Sequence, residues 1–236
     1  MPLILKGVVS AVLLIMAAQN GGIFWPSVFL IISFSFYFYS LFQWKEFILS
    51  FLILTVYALI VTAYLTNSAL IIFGGISYGI LFIILLSVKK IVFINRRRGL
   101  FNFFTGILYF LISVVFFVAD KSNALGFFLI FLGTFLAFKF LLQESLDFTA
   151  PEFPEKRKSL IEIGAAFLIM EIMSVIVMLP LGFLDSAALM ILFIFILEDL
   201  IFHHTKGSLN RQIILNNIAI LVIAIIFIFS TSRWTL

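Results

Sequence analysis

The sequence predicts an all-α integral membrane protein, a bundle of about nine transmembrane helices with the N-terminus inside and the C-terminus outside. Of its 236 residues, 64% are hydrophobic and only 11% are charged. An ordinary soluble domain is about 45–50% apolar and about 25% charged, so a single soluble core could not bury this much apolar surface. The chain has no cysteine, which excludes disulfides, thiol nucleophiles and cysteine-based zinc binding.

The helical spans follow from the length of the apolar runs. A helix needs about 20 apolar residues to cross a hydrocarbon core about 30 Å thick. The runs lack the alternation over about ten residues that is typical of transmembrane strands. The predicted spans, each bounded by a short polar cluster, are 3–19, 23–43, 47–65, 68–88, 99–119, 124–143, 160–179, 183–203 and 212–232.

The lysines and arginines predict the orientation, because cytoplasmic loops carry an excess of them. With the N-terminus inside, all 15 basic residues except Lys121 and Arg233 fall on the cytoplasmic side. Removing one middle span would break this segregation, so the span count and the orientation support each other. The net charge of +4 is thereby explained by topology, without nucleic-acid binding. We expect a multi-pass protein of the cytoplasmic (inner) membrane of a prokaryote.

The first span is open to a competing interpretation. Lys6, a short apolar run and the sequence Met16-Ala17-Ala18 are together typical of a bacterial signal peptide. A cut after Ala18 would place Met16, instead of a small residue, at position −3. We therefore expect a retained transmembrane helix.

The domain organisation is predicted from one long polar segment. Residues 144–158 are expected to form a cytoplasmic linker between a six-span part, 1–143, and a three-span part, 159–236. Two segments at the cytoplasmic ends of the sixth and eighth spans, Phe138–Phe148 and Phe193–His203, are similar in sequence. Repeated helical hairpins are common in transporter folds, whereas chance similarity is the alternative in so restricted an alphabet.

Glu171 is the most informative candidate residue. It lies about 11 residues, or about 16 Å, into the seventh span, close to the midplane. A carboxylate at that depth costs at least about 3 kcal/mol, so we expect it to face the bundle interior, to be paired or to be protonated. With Ser174 one turn away, Glu171 is a candidate proton- or cation-binding site. The alternative is a structural hydrogen bond to backbone or to a deep tyrosine.

The densest polar cluster is Glu198–His204, at the end of the eighth span. Asp199 and His203 are four residues apart and share a helix face, so they are weak candidates for acid–base catalysis. Asn216 and Asn217, in the ninth span, are expected at a similar depth. A set of solvated anchors at the membrane interface is the alternative.

The segment E-D-L-I-F-H-H, residues 198–204, resembles the E-E-x-x-x-R motif of the CAAX-protease and bacteriocin-processing membrane peptidases. The resemblance implies glutamates that activate water, and it covers seven residues of the chain. His203 stands where that motif has arginine, and no histidine follows His204 to supply the downstream motifs of the family. Catalytic roles are therefore not transferred.

Two local motifs predict structure. Ser159 and Glu162 fit the S-x-x-E capping box, which predicts a helix start near residue 159. Gly75 and Gly79 form a small-xxx-small pattern, which predicts close packing against another helix.

The basic inner loops predict a surface for anionic lipid or for a cytoplasmic or membrane protein partner. P-loop, G-x-G-x-x-G, H-E-x-x-H and G-x-S-x-G motifs are absent, so we expect no cofactor and no metal centre. The predicted surface for anionic lipid or a protein partner consists of Lys89, Lys90, Arg96, Arg97 and Arg98.

Three functions are compatible with the sequence. The first is a transporter-like or membrane-complex subunit that uses Glu171 in a proton- or cation-linked step. The second is a scaffold that binds partners without transport, and oligomer formation is compatible with it. The third is a membrane-embedded enzyme acting on lipid or peptide at the inner leaflet, which predicts a pocket uniting Asp199, His203 and Asn216.

Overall fold

The computed structural model describes residues 2–20, 22–39, 47–64, 68–90, 94–119, 124–150 and 153–231. These residues form α-helices and short connections without any strand, which confirms the predicted all-α fold class. The helices are α1 (Leu3–Asn20), α2 (Phe24–Phe38), α3 (Ile48–Tyr64), α4 (Ser68–Lys90), α5 (Ile94–Val118), α6 (Ala124–Thr149), α7 (Glu155–Val177), α8 (Phe183–Thr205) and α9 (Arg211–Thr231).

Each described helix coincides with one of the predicted spans. Within the described residues, α1, α4, α5, α6, α7 and α9 are long and apolar enough to cross a membrane. Shorter apolar helices occupy Phe24–Phe38 and Ile48–Leu59. The chain is therefore a multi-pass membrane protein. The count of nine spans and the orientation stay predictions.

The orientation is testable with reporter fusions. Reporters that work only in the cytoplasm or only in the periplasm, fused after residues 95, 122, 153 and 236, are expected to give in, out, in and out. This order follows from the basic residues of the inner loops. A cytoplasmic reporter signal at residue 236 would contradict the nine-span topology.

The segment predicted as a cytoplasmic linker, 144–158, is mostly helical where it is described. α6 continues to Thr149, and α7 begins at Glu155, directly after Pro154. Proline suits a helix start because its fixed φ is helical and its missing N–H would have no partner there. The capping-box prediction at Ser159 is therefore wrong: the helix begins one turn earlier, and Glu162 lies inside it.

The chain divides into two compact units, Met1–Thr105 and Gly106–Leu236. The division falls within α5, whereas the sequence places the boundary after residue 143. The sequence-based division into a six-span part, a linker and a three-span part stays a prediction.

In the first unit, α1 packs closely against α4. A Cβ atom added at Gly79 would lie 2.9 Å from the Cβ of Ala11 and 3.0 Å from the carbonyl oxygen of Gly7. A Cβ at Gly75 would meet the side chain of Ile15. The small residues thus let two backbones approach, as is common between membrane helices. The packing predicted from Gly75 and Gly79 is confirmed.

Two buried lysines hold the C-terminal end of α2 in the same unit. Lys6 Nζ donates to the carbonyl oxygen of Phe36 at 3.3 Å, and Lys89 Nζ donates to that of Tyr37 at 3.1 Å. The last carbonyls of a helix lack partners within it and form the negative end of its dipole. The ammonium groups therefore stabilise this end of the helix.

In the second unit, α7 packs against α6 and α8, and α8 packs against α9. The interior of the unit contains small and flexible side chains of α7 and α8. Those that are almost fully buried include Ala166, Met173, Ala187, Met190 and Ile194. These helices bring together the polar side chains that form the candidate site.

Candidate functional site

The centre of the candidate site is a hydrogen-bonded carboxyl in the second unit. The hydroxyl of Tyr109, on α5, donates to Oε1 of Glu198, on α8, at 2.8 Å. Ser145, on α6, also hydrogen-bonds Glu198 through its side chain. Tyr109 is 2% exposed, and its ring stacks on that of Phe138 with centroids 5.7 Å apart. Three helices thus converge on one carboxyl group.

The spacing of residues on α8 explains why Glu198 points inwards. Ala187, Met190 and Ile194 are buried, and they recur every three or four residues along one face of the helix. Glu198 continues this series by one turn, so it lies on the packed face. The next residue, Asp199, is rotated by about 100° and faces another neighbour.

The helix that Asp199 faces is α9. Nδ2 of Asn217 donates to Oδ2 of Asp199 at 2.8 Å, while Nε2 of His203 lies 3.7 Å from Oδ1 of the same carboxylate. The other ring nitrogen of His203 is 2.9 Å from the hydroxyl of Ser208. The structure therefore unites Asp199 and His203 with Asn217, whereas Asn216 is exposed.

A third polar group joins α6 to α7. Nζ of Lys158 forms an ion pair with Oδ1 of Asp147 at 3.0 Å. Glu162 is 5% exposed and interacts electrostatically with Asp147, Lys158 and Lys139. Glu162 and Lys158 are thus the buried members of a charged cluster whose Asp147 side chain is 58% exposed, which the capping interpretation did not anticipate.

Carboxyl groups outnumber cations in these three groups. Within the third group, the carboxylates of Asp147 and Glu162 repel each other, and the ammonium groups of Lys139 and Lys158 offset this repulsion. Among the described residues, no three histidine, aspartate or glutamate side chains are arranged to hold a metal ion. The carboxyl groups are those of Asp147, Glu162, Glu198 and Asp199, and the cations nearby are Lys139 and Lys158.

Glu171 is on the outer face of α7, where its side chain is exposed. The expectation that it faces the bundle interior is wrong, because α7 presents Met170 and Met173 to its neighbours. Among the described residues, Glu171 has no hydrogen bond and no ion pair. Ser174 is partly buried, and its hydroxyl donates to the carbonyl oxygen of Met170 at 2.9 Å. A proton- or ion-binding role of Glu171 and Ser174 stays a prediction.

The basic residues predicted to form a lipid or partner surface are not all placed alike. Lys89 is 4% exposed, and its ammonium is directed into the first unit. Arg98 is partly exposed on α5. The side chains of Lys90, Arg96 and Arg97 lie outside the described part of the structure. The predicted surface thus stays a prediction, and Lys89 lies inside the protein.

Sequence reasoning missed Tyr109 and Ser145 as partners of Glu198, whereas it expected Asn217 at the depth of the polar cluster. One signal pointed to Ser145: the similar segments Phe138–Phe148 and Phe193–His203 contribute Ser145 and Glu198, which hydrogen-bond each other. Proximity between two polar segments cannot be read from either segment alone.

Comparison with known protein families, with curated proteins and with solved structures found no match to this chain.

Proposed function

We propose that this multi-pass membrane protein is transporter-like and that a proton carried by Glu198 is linked to its transport step. The observation that supports this function is the 2.8 Å hydrogen bond between Tyr109 and Glu198, made between two helices of the second unit. A carboxyl group among packed helices is costly to desolvate, and ionisable groups placed in this way are typical of functional sites. The proposal keeps the proton-linked carboxyl expected from the sequence and moves it from Glu171 to Glu198.

The neighbours of Glu198 suit both of its protonation states. The ionised carboxylate accepts hydrogen bonds from Tyr109 and Ser145, whereas the neutral acid has one O–H donor and can return a hydrogen bond to either hydroxyl. Asp199 and His203 lie nearer the exposed end of α8, with side chains 36% and 28% exposed. His203 therefore lies where solvent can reach its ring.

The same pair supports the enzyme alternative less well. The 3.7 Å between His203 Nε2 and Asp199 Oδ1 exceeds hydrogen-bond distance, and general acid–base catalysis needs a proton within reach. Proton exchange between His203 and solvent does not require a fixed distance between these two atoms.

The test is to compare Glu198→Gln and Tyr109→Phe with wild type after purification and reconstitution into liposomes. Infrared difference spectra between acid and alkaline buffer are expected to show a carboxylic-acid carbonyl band that disappears in Glu198→Gln and shifts in Tyr109→Phe. Proton uptake driven by a membrane potential, reported by a pH-sensitive dye inside the liposomes, is expected to fall to the protein-free rate in Glu198→Gln.

Glu155→Gln is the matched control, since Glu155 is exposed at the start of α7. Its spectra and its proton uptake are expected to equal those of wild type. Glu171→Gln separates the two carboxyl groups: loss of uptake in Glu171→Gln with retention in Glu198→Gln would contradict the proposal. Wild-type uptake no faster than that of empty liposomes would also contradict it.

A further inference from the structure

The outer face of α7 carries a regular stripe of exposed residues. Gly164, Leu168, Glu171 and Val175 on the helix, and Met178 directly after its last residue, are all exposed. Their spacing of four, three, four and three residues is the heptad spacing of a helix–helix seam. We call these five residues the outer stripe of α7.

The apolar members of the outer stripe are strongly exposed. Leu168 is 41% exposed, Val175 is 60% exposed, and Met178 is 84% exposed. Exposed apolar side chains alone are ordinary in a membrane helix, because lipid surrounds them. Gly164 adds a position where nothing lies within 4 Å of an added Cβ, so another helix could approach closely there.

Glu171 distinguishes the outer stripe from an ordinary lipid-facing surface. It occupies the middle of the stripe, has no hydrogen bond or ion pair with any described residue, and lies well inside the helix Glu155–Val177. A carboxyl group facing hydrocarbon at this depth is unfavourable whether it is charged or neutral, because lipid tails offer no hydrogen bond. The stripe therefore requires an occupant that supplies polar groups at the depth of Glu171.

We propose that a second copy of this chain covers the outer stripe and that the two Glu171 side chains hydrogen-bond each other in the resulting dimer. Two copies inserted with the same orientation are related by a two-fold axis along the membrane normal, so each residue near the axis faces its own counterpart at equal depth. A neutral carboxyl group has both a donor and acceptors, and it is thus complementary to itself. This matching of polar groups is the argument for a second copy.

The absence of cysteine from the sequence makes the test direct. Leu168→Cys and Val175→Cys, each introduced alone into the full chain, are expected to give disulfide-linked dimers when native membranes are oxidised. Ile223→Cys is the matched control. Ile223 lies on α9, its side chain is 68% exposed, and it faces outwards without a polar neighbour. It is expected to remain monomeric under the same oxidation.

Substitution of Glu171 then tests the role of the carboxyl. Glu171→Gln retains a donor and an acceptor, so cross-linking of Val175→Cys is expected to persist in it. Glu171→Leu removes both, and the association constant, measured by energy transfer between labelled copies in liposomes at varied dilution, is expected to fall by about tenfold. Because Glu171 is exposed, the helix content and Tm of both variants are expected to match those of wild type.

Three outcomes would overturn the proposal. The first is equal cross-linking at Ile223 and at Val175, which would indicate random collision. The second is a cross-linked product with the mass of a different protein, which would show that another membrane protein covers the stripe. The third is a monomer throughout, or a dimer that Glu171→Leu leaves unchanged.

Discussion

Replacing Gly79 by leucine is expected to destabilise the first unit strongly. The leucine side chain would have to enter a space in which a Cβ already lies 2.9 Å from Ala11 Cβ and 3.0 Å from the backbone oxygen of Gly7. Backbone cannot move aside as the tip of a side chain can. Overpacking of this kind costs about 1–3 kcal/mol, or more where the backbone must shift.

Gly133→Leu is the matched control. Gly133 lies on α6, and nothing lies within 4 Å of an added Cβ there. Leucine also has a better helix propensity than glycine by about 0.8 kcal/mol, so this variant is expected to be as stable as wild type or slightly more so. The measurement is Tm in detergent by loss of monodisperse protein. A Tm for Gly79→Leu equal to that of Gly133→Leu would contradict the close packing of α1 and α4.

Replacing Lys89 by methionine is expected to have the second large effect. Methionine fills a similar volume without the hydrogen bond to the carbonyl oxygen of Tyr37 and without the ammonium that lies 4.0 Å from the centroid of the Tyr37 ring. The carbonyl group of Tyr37 would lose the hydrogen bond from the Lys89 ammonium, and a hydrogen bond to a charged group contributes about 1.5–3 kcal/mol. The cation–π contact contributes about 2 kcal/mol more where it is desolvated.

Lys156→Met controls for the loss of a positive charge, because Lys156 is exposed on α7. This variant is expected to leave Tm unchanged. Lys89→Arg keeps the charge and the donor but changes the shape, so its Tm is expected to fall between those of wild type and Lys89→Met. The experiment also bears on the sequence prediction that Lys89 binds lipid. A Tm of Lys89→Met equal to wild type, with weaker binding to anionic liposomes, would show that the ammonium faces lipid and does not hold α2.

The candidate site was only partly predictable. The sequence identifies Glu198, Asp199 and His203 as a polar cluster, because charged residues are conspicuous at the end of an apolar run. The partners Tyr109, Ser145 and Asn217 come from three other helices. Their side chains are common in membrane helices, and nothing in their local sequence indicates which of them meet a carboxyl group.

The placement of Glu171 failed for a related reason. The sequence predicts the depth of Glu171 from a count of residues along the helix. Which way the side chain points depends on the neighbours of the helix. Along α7 the apolar residues surround the axis almost evenly, so no amphipathic pattern marks the inner face.

The sequence by itself determined that this chain is an all-helical membrane protein, and it located the helices to within a few residues. The reason is that the cost of placing polar backbone and charged side chains in hydrocarbon acts on each segment separately. Only the tertiary structure decided which carboxyl groups are enclosed and which face outwards. In a chain that is apolar on nearly every helix face, the hydrophobic effect does not select which face packs inwards. That face is selected by the fit of particular residues, such as Gly79 against Ala11 and Tyr109 against Glu198.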